Sequence, residues 1–455
     1  MIKKIKITFF RKKQYLLLLF LLSLSIFTLN GCFYASDSAS NNADGVSTDK
    51  VLGRAEDKSH GIELDICNPF GRLKYCDGYL YVPGASQLMG GGSDNNSAVT
   101  EWGGVQRINT STYEKSDVIY PNHSVSDVAV VSSTHAYLIE YISWGSVAIK
   151  RFNPETGEIK EGNIADLAVG EKTVGNYCNV NLISMDVDKN GNLWVCGSTA
   201  KITEMDGDTI TKRDYEYCIF IIDTATDTIE EKVYTNLVPQ YLTFCRDKAI
   251  VVTATATYSS GAHSIVPIEQ TDGERTPTNN LTADTSDMAI DSYGDHFYRI
   301  QRYMSDSVMK FHIDNPGQVR DNVNTADPDV IWQFSAMDDY DENDEGLSST
   351  NPHALAIYSE SRGFLSRYES SYVWVVNLQA EKQSDFKIGK LDLSAYDDDD
   401  GIPEMSSTVI ADGKLFIAMQ RLYRDSDGIW KANRASSYIA VFNPETYDEI
   451  DAGNK

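Results

Sequence analysis

The chain predicts an all-β fold, a seven-bladed β-propeller preceded by a signal peptide and a flexible tether, on three observations. From about residue 59 onward no helical period is sustained, and short apolar or alternating runs bounded by Gly, Asn, Asp and Pro take its place, as in strands. An apolar strand, a tight polar turn and a second apolar strand then recur seven times, the second strands reading Tyr79-Leu80-Tyr81-Val82, Ala136-Tyr137-Leu138-Ile139, Asn192-Leu193-Trp194-Val195, Ala249-Ile250-Val251-Val252, His296-Phe297-Tyr298-Arg299, Tyr372-Val373-Trp374-Val375 and Lys414-Leu415-Phe416-Ile417. The turns recur too, Asp77-Gly78 and Asp412-Gly413 closing one kind of hairpin, Asn153-Pro154-Glu155-Thr156 and Asn443-Pro444-Glu445-Thr446 another. Repeats of about 40 to 60 residues, each worth one small antiparallel sheet, are the signature of a propeller.

Residues 1–31 open with Lys3, Lys4, Lys6, Arg11, Lys12 and Lys13 and no acid, followed by the apolar run 15–29. These are the charged and apolar regions of a secretory signal, although about 18 apolar residues can also span a bilayer. The next residues, Leu29-Asn30-Gly31-Cys32, resemble the lipobox of bacterial lipoproteins, with Gly31 as the small residue before the cysteine. The resemblance implies cleavage after residue 31 and acylation of the Cys32 thiol. Two or more acyl chains anchor stably, because each buried methylene adds about 0.8 kcal/mol. The implied address is the bacterial cell envelope, lipid-anchored and facing the periplasm or the cell exterior. Contact with membrane is through the anchor only.

Residues 32–58 are rich in Ser, Asn, Asp and Ala and cannot bury a core, so they read as a flexible tether. Residues 59–455 hold seven units beginning near Arg72, Asp127, Leu182, Tyr241, Asp287, Ala354 and Ser407. The sixth is the least regular, residues 359–371 reading either as a turn insertion or as an additional strand. Residues 61–66 form a spare strand before the first unit, and the chain ends just past a turn, which predicts a ring closed by pairing the two ends. This repeat pattern resembles the bacterial seven-bladed propellers of the YVTN type, over about residues 60–455. The resemblance implies a fold and leaves activity open, since that scaffold serves many functions.

Loss of residues 1–31 takes the formal charge from -26 to -32. Such a surface repels phosphate backbones, which argues against nucleic-acid partners, and it favours cations. Among the histidines His60, His123, His135, His263, His296, His312 and His353 there is no H-x-H or H-E-x-x-H spacing, and no G-x-S-x-G, G-x-G-x-x-G or haem-attaching C-x-x-C-H occurs. No catalytic residue and no cofactor is assigned on motif, Ca2+ apart.

Labelling the strands of each blade A to D from the axis outward, B-to-C loops and D-to-A connections emerge on one face, A-to-B and C-to-D turns on the other. The long segments 83–103, 197–214, 337–351, 396–404 and 422–436 all belong to the first face, so one face is elaborated and the other plain. Elaborated loops on a rigid scaffold are where binding usually resides. The expected function is the binding of a ligand or envelope protein there; a propeller hydrolase or lyase with an axial site, or a structural scaffold, are the alternatives. Gln301 and Arg302 end one B strand and Gln420 and Arg421 another, with Arg367 between them. Their equivalent positions suit an anionic ligand, or arginines bridging adjacent blades through backbone carbonyls or Asp side chains. Asp397, Asp398, Asp399, Asp400 and Glu404 form an acidic run, either solvated or a hard-cation site for Ca2+. Asp186-Val187-Asp188-Lys189-Asn190-Gly191 opens like an EF-hand loop, but its twelfth position is Gly197, so it reads as a turn. Cys196 and Cys218 flank Asp206-Gly207 symmetrically, a spacing that permits a cross-strand disulfide; free buried thiols are the other reading.

Overall fold

The computed structural model describes residues 49–85, 103–143, 145–164, 167–303, 305–319, 326–337, 349–397, 401–424, 430–431 and 436–453. Seven antiparallel sheets succeed one another in chain order around a ring. In blades three to five all four strands are regular: Tyr177–Val187, Leu193–Asp206, Thr209–Asp223 and Thr228–Tyr234 in blade three; Val238–Cys245, Lys248–Ala254, Gly261–Pro267 and Thr278–Asp284 in blade four; Met288–Tyr293, His296–Gln301, Ser307–His312 and Val330–Ser335 in blade five. Blades one (Lys74–Cys76, Tyr79–Gly84, Gly104–Asn109) and two (Ser124–Ser132, His135–Ser143, Ser146–Phe152) have three strands each. Isolated bridges such as Ile108 with Lys115 and Phe152 with Ile159 take the place of a fourth.

The turns follow from local chemistry. Asp77-Gly78 and Asp412-Gly413 hold φ of 48° and 81°, and 45° and 70°, the doubly left-handed pair that a two-residue hairpin turn demands. At the C-to-D turns the leading Asn folds its side chain onto the backbone. Asn153 Oδ1 accepts from the Glu155 and Thr156 N–H groups, and Asn443 Oδ1 repeats this on Glu445 and Thr446.

Blade six corrects the sequence expectation. Its B strand is Arg362–Arg367, lying between Pro352–Ser359 and Tyr372–Asn377, so the run Tyr372-Val373-Trp374-Val375 is strand C, and Lys387–Asp392 is strand D. Residues 359–371 therefore hold an additional strand, the second of the two readings, and it lacks an apolar run because it carries Arg362, Ser366 and Arg367.

The apolar core is distributed. It consists of seven clusters, one at each junction between neighbouring blades, including the junction of blade seven with blade one. That last cluster joins Leu80, Val82 and Ile108 to Phe416, Ala418 and Val441, and Ile62, Leu64 and Ile66 complete it. Closure is made by both chain ends. Blade seven (Met405–Ala411, Lys414–Met419, Tyr438–Phe442) receives Ile62–Glu63 on its outer edge, Ile62 opposite Ile439 and Glu63 opposite Tyr438. Glu449 bridges to Phe442, Ile450 N–H donates to Val441 O, and Ala452 N–H donates to His60 O at 2.8 Å. The fourth strand of this blade is thus a composite of the two termini, as the spare strand 61–66 predicted.

A second departure concerns the tether. Val51–Arg54, assigned to it by composition, is a strand paired in parallel with Lys387–Asp392, a fifth strand on blade six.

Candidate binding face and axial cluster

Strand A of each blade faces the axis, and there the structure assembles charges that are far apart in sequence. Arg72, leading into blade one, sends its guanidinium across the ring to Leu242 O of blade four at 2.8 Å, and its second amino group stands 3.5 Å from Met185 O of blade three. Asp127 of blade two is 3.9 Å away, and Tyr241 lies beneath the guanidinium at 5.9 Å. Lys74 Nζ pairs with Asp186 at 2.6 Å. Asp127 Oδ2 accepts the Met185 N–H at 2.8 Å, and Asp291 of blade five accepts the Leu355 N–H at 3.2 Å.

Burial sets the electrostatics here. For Asp186 burial opposes ionisation, but Lys74 and Arg72 together outweigh it and hold the carboxyl below its usual range. For Asp127 burial wins over the same two cations and the carboxyl is raised. Asp291 is pushed up to about 6 by burial, against the opposing pull of Arg72 and the Leu355 N–H. Two cations, Arg72 and Lys74, thus stand among three buried carboxyls, and Lys74 pairs directly with Asp186. No sequence signal announces this cluster, because Arg72 and Lys74 of blade one meet carboxyls drawn singly from blades two, three and five.

The sequence-predicted arginines separate into different roles. Arg421, in left-handed backbone with φ 55°, is buried and spends its guanidinium on three carbonyls: Tyr396 O at 2.7 Å, Ser436 O at 2.9 Å and Asp397 O at 3.2 Å. Arg367 is wholly buried, stacked 4.4 Å over the Trp374 ring. Gln301 is buried and accepts from Gln333 Nε2 at 2.9 Å and from Ser307 Oγ. Arg302, its side chain mostly buried, pairs through Nε with the half-exposed Asp287 at 2.9 Å. Gln420, also buried, accepts from the Tyr368 hydroxyl. Tyr368 stacks on His353 with ring centroids 5.0 Å apart, and the His353 imidazole is held well below its usual range, first by burial and then by Arg302. Since His353 Nδ1 lies 2.7 Å from Ser406 O, that nitrogen carries the proton. Arg302, His353, Tyr368 and Gln420 thus form one polar seam over blades five to seven. The shared cluster of free guanidiniums foreseen for an anion does not assemble; the reading of arginines tied to backbone carbonyls describes Arg421.

Of the acidic run, Asp398, Asp399 and Asp400 lie outside the described residues, as does the segment 338–348. Glu404 is buried, with φ 47°, and accepts the Leu422 N–H at 2.7 Å. Among the described residues no group of three or more His, Cys, Asp or Glu is arranged to hold a metal. Asp188 accepts from the N–H groups of Asn190 and Asn192 and from Trp194 Nε1, which makes the EF-hand-like segment a turn, as expected.

The expected Cys196–Cys218 bridge is corrected by register. The hairpin turns on Gly207 and Asp208 together, so Cys196 stands opposite Ile219 and Cys218 opposite Gly197. One residue of offset sends the two side chains to opposite faces of the sheet, Cys196 into the junction with blade four and Cys218 into that with blade two. Both are free thiols, pushed up to about 12 by burial.

The same hairpin replaces the loop expected over 197–214 with a two-stranded arm. A cavity of about 530 Å³ lies between the arm and the connection before it, lined by Val169, Lys172, Cys178, Asp208, Ile210 and Arg213. On the elaborated face Tyr215, Tyr258 and Tyr303 are 61%, 56% and 57% exposed, and Ile142, Val174 and Met337 join them in an arc over blades two to six. On the plain face the exposed aromatics are Tyr293 and Tyr75, and the Tyr75 hydroxyl is bonded to Asp412.

No family model matches the chain, and no curated protein sequence matches it. Solved structures do. They include hydrazine synthase of Kuenenia stuttgartiensis (TM-score 0.47, 10% identity, 82% of this chain and 97% of that one) and a catalytically inactive virginiamycin B lyase from Staphylococcus aureus with quinupristin (0.48, 13%, 79% and 95%). A streptogramin B lyase is similar at 0.47 and 12%, over 84% and 96%. At such identities the likeness is one of fold.

Proposed function

We propose that this protein is a lipid-anchored propeller of the bacterial envelope that binds a partner outside the cytoplasm through its loop-rich face. The observation that carries the reading is the arc of exposed tyrosines and aliphatic residues on that face. Tyrosine supplies large contact area at low conformational cost, which is why it anchors binding surfaces. At the axis Lys74 pairs with Asp186 and Arg72 lies beside Asp127, and the net charge, -32 once residues 1–31 are lost, favours a partner with cationic groups. A protein or peptide with basic and apolar residues fits both properties.

The test uses the full chain isolated with its envelope fraction. Replacing Tyr215, Tyr258 and Tyr303 together by Ala is expected to lose a co-purifying partner that wild type retains, while Tyr75 and Tyr293 replaced by Ala retain it. Equal retention by both variants, with unchanged melting, overturns the assignment of the face. The anchor is tested separately: wild type incorporates a palmitate analogue and Cys32→Ser does not. Equal incorporation removes the lipoprotein reading.

A further inference from the structure

Residues 49–56 are docked by a contact built into both partners. Val51 pairs with Lys390, Gly53 with Leu391 and Arg54 with Asp392, in parallel. Lys390 N–H donates to Lys50 O at 3.0 Å, and Ala55 N–H donates to Asp392 O at 2.8 Å. Ion pairs clamp both ends, Asp49 with Lys387 at 2.8 Å and Arg54 with Asp392 at 3.2 Å. Lys387 and Lys390 are themselves held over the rings of Trp374 and Tyr372. Leu52 and Ala55 join the apolar cluster between blades six and seven. The backbones approach so closely that a Cβ on Gly53 would stand 1.9 Å from Tyr447 O, and one on Gly389 would stand 2.6 Å from Leu52 Cγ. Glycine on each side of the contact marks a seat shaped for this strand.

Direction follows from the parallel pairing. Strand D of blade six starts at the C-to-D connection, on the plain side, and Val51–Arg54 runs the same way. Asp49, the first described residue, therefore stands at the plain-side end of blade six, whereas residue 59 lies beside blade seven. Only 16 residues separate Cys32 from Asp49, where 26 would separate it from residue 59. At about 3.4 Å per residue the longest span falls from roughly 90 Å to roughly 55 Å.

We infer that residues 49–56 are a strap that sets which face of the propeller meets the surface holding the N-terminus: the plain face toward it, the loop-rich face away. The strap itself stands on the contacts above, whereas the identity of that surface as a bilayer rests on the proposed acylation of Cys32. The consequence is presentation. The tyrosine arc would be held where partners approach, opposite the attachment.

Gly53→Val is the direct test, because its side chain cannot share space with the Tyr447 carbonyl. In limited trypsin digestion of the chain from residue 33, cleavage at Lys50 and Arg54 is expected to be at least tenfold faster in Gly53→Val than in wild type. Equal rates overturn the strap. Should Gly53→Val lose cooperative melting, Lys387→Glu serves in its place: it is expected to speed the same cleavage severalfold, and it adds no trypsin site. Equal rates overturn the clamp. Orientation is read on the full chain in its membranes, by a 5 kDa polyethylene glycol maleimide on Tyr303→Cys and Tyr293→Cys, each counted above the wild-type background and against detergent-solubilised protein. Tyr303→Cys is expected to label at least threefold faster, and Gly53→Val to bring the ratio toward one. A ratio of one without Gly53→Val, in protein that incorporates the palmitate analogue, overturns the orientation. Absence of palmitate removes the bilayer instead and leaves the digestion result to decide the strap.

Discussion

Arg302 and Arg421 end equivalent strands and look alike in sequence, yet their surroundings give them opposite energetics. Arg421 satisfies three carbonyls from inside the protein, and a buried acceptor left unpaired costs about 1 to 3 kcal/mol. Arg421→Ala is expected to lower stability by about 2 to 4 kcal/mol, since water satisfies part of what the guanidinium leaves. Arg302 faces a half-exposed Asp287, so Arg302→Ala is expected to cost under about 1 kcal/mol. Denaturant unfolding of the two single variants separates them, and equal losses would contradict this division. Asp291 gives a pH-dependent counterpart. Its folded pKa, about 6, lies above the unfolded value near 3.8, so the folded protein binds the extra proton between those limits. Stability from this group is complete below about pH 4, declines as pH rises to about 6 and stays at its lowest above. Asp291→Asn keeps an acceptor for the Leu355 N–H without the buried charge. Melting against pH should show the variant more stable than wild type by about 1 to 2 kcal/mol at pH 8 and no more stable at pH 4. A constant difference across that range would mean that Asp291 does not titrate as argued.

At the scale of strands and turns, what was legible in the sequence was whatever local chemistry determines. The Asp-Gly hairpins and the Asn-led turns appear where their residues demand, and six of the seven second strands stand at their expected places. The seventh was misread because Arg367 is tolerated inside strand B of blade six by the Trp374 ring, a partner that folding alone supplies. The cysteine pair takes the free-thiol reading for a different reason. Symmetry about one glycine predicts a register, but the hairpin uses two turn residues and bulges near Glu204, and a single residue of slip exchanges the faces. Val51–Arg54 carries little apolar content of its own and becomes a strand because an existing edge, two basic residues and a facing glycine receive it. The axial cluster is the extreme case, since Arg72, Asp127, Asp186 and Asp291 share no motif and meet only when the ring closes.

Closure is the property of the whole molecule on which the rest depends. Each blade buries its faces only against two neighbours, so seven junctions must all form, and the junction of blade seven with blade one is sealed by residues that precede every blade. Ile62, Leu64 and Ile66 are 3%, 2% and 1% exposed there, and Leu64 N–H donates to Ser437 O at 2.9 Å. Full burial of one such side chain contributes about 1.5 to 3 kcal/mol. Deleting residues 61–66 removes all three, unpairs the edge of Tyr438–Phe442 and leaves the C-terminal half of the composite strand without its continuation. Stability is expected to fall by about 4 kcal/mol or more, with loss of a single cooperative transition as blades seven and one separate. Deleting residues 33–48 leaves every described strand in place and is expected to change stability by less than about 0.5 kcal/mol. Thermal and denaturant unfolding of the two deletions, followed by tryptophan fluorescence and circular dichroism together, decides the matter: similar transitions in both would mean that the ring is sealed by the apolar junction alone and that the strand drawn from the two termini is dispensable.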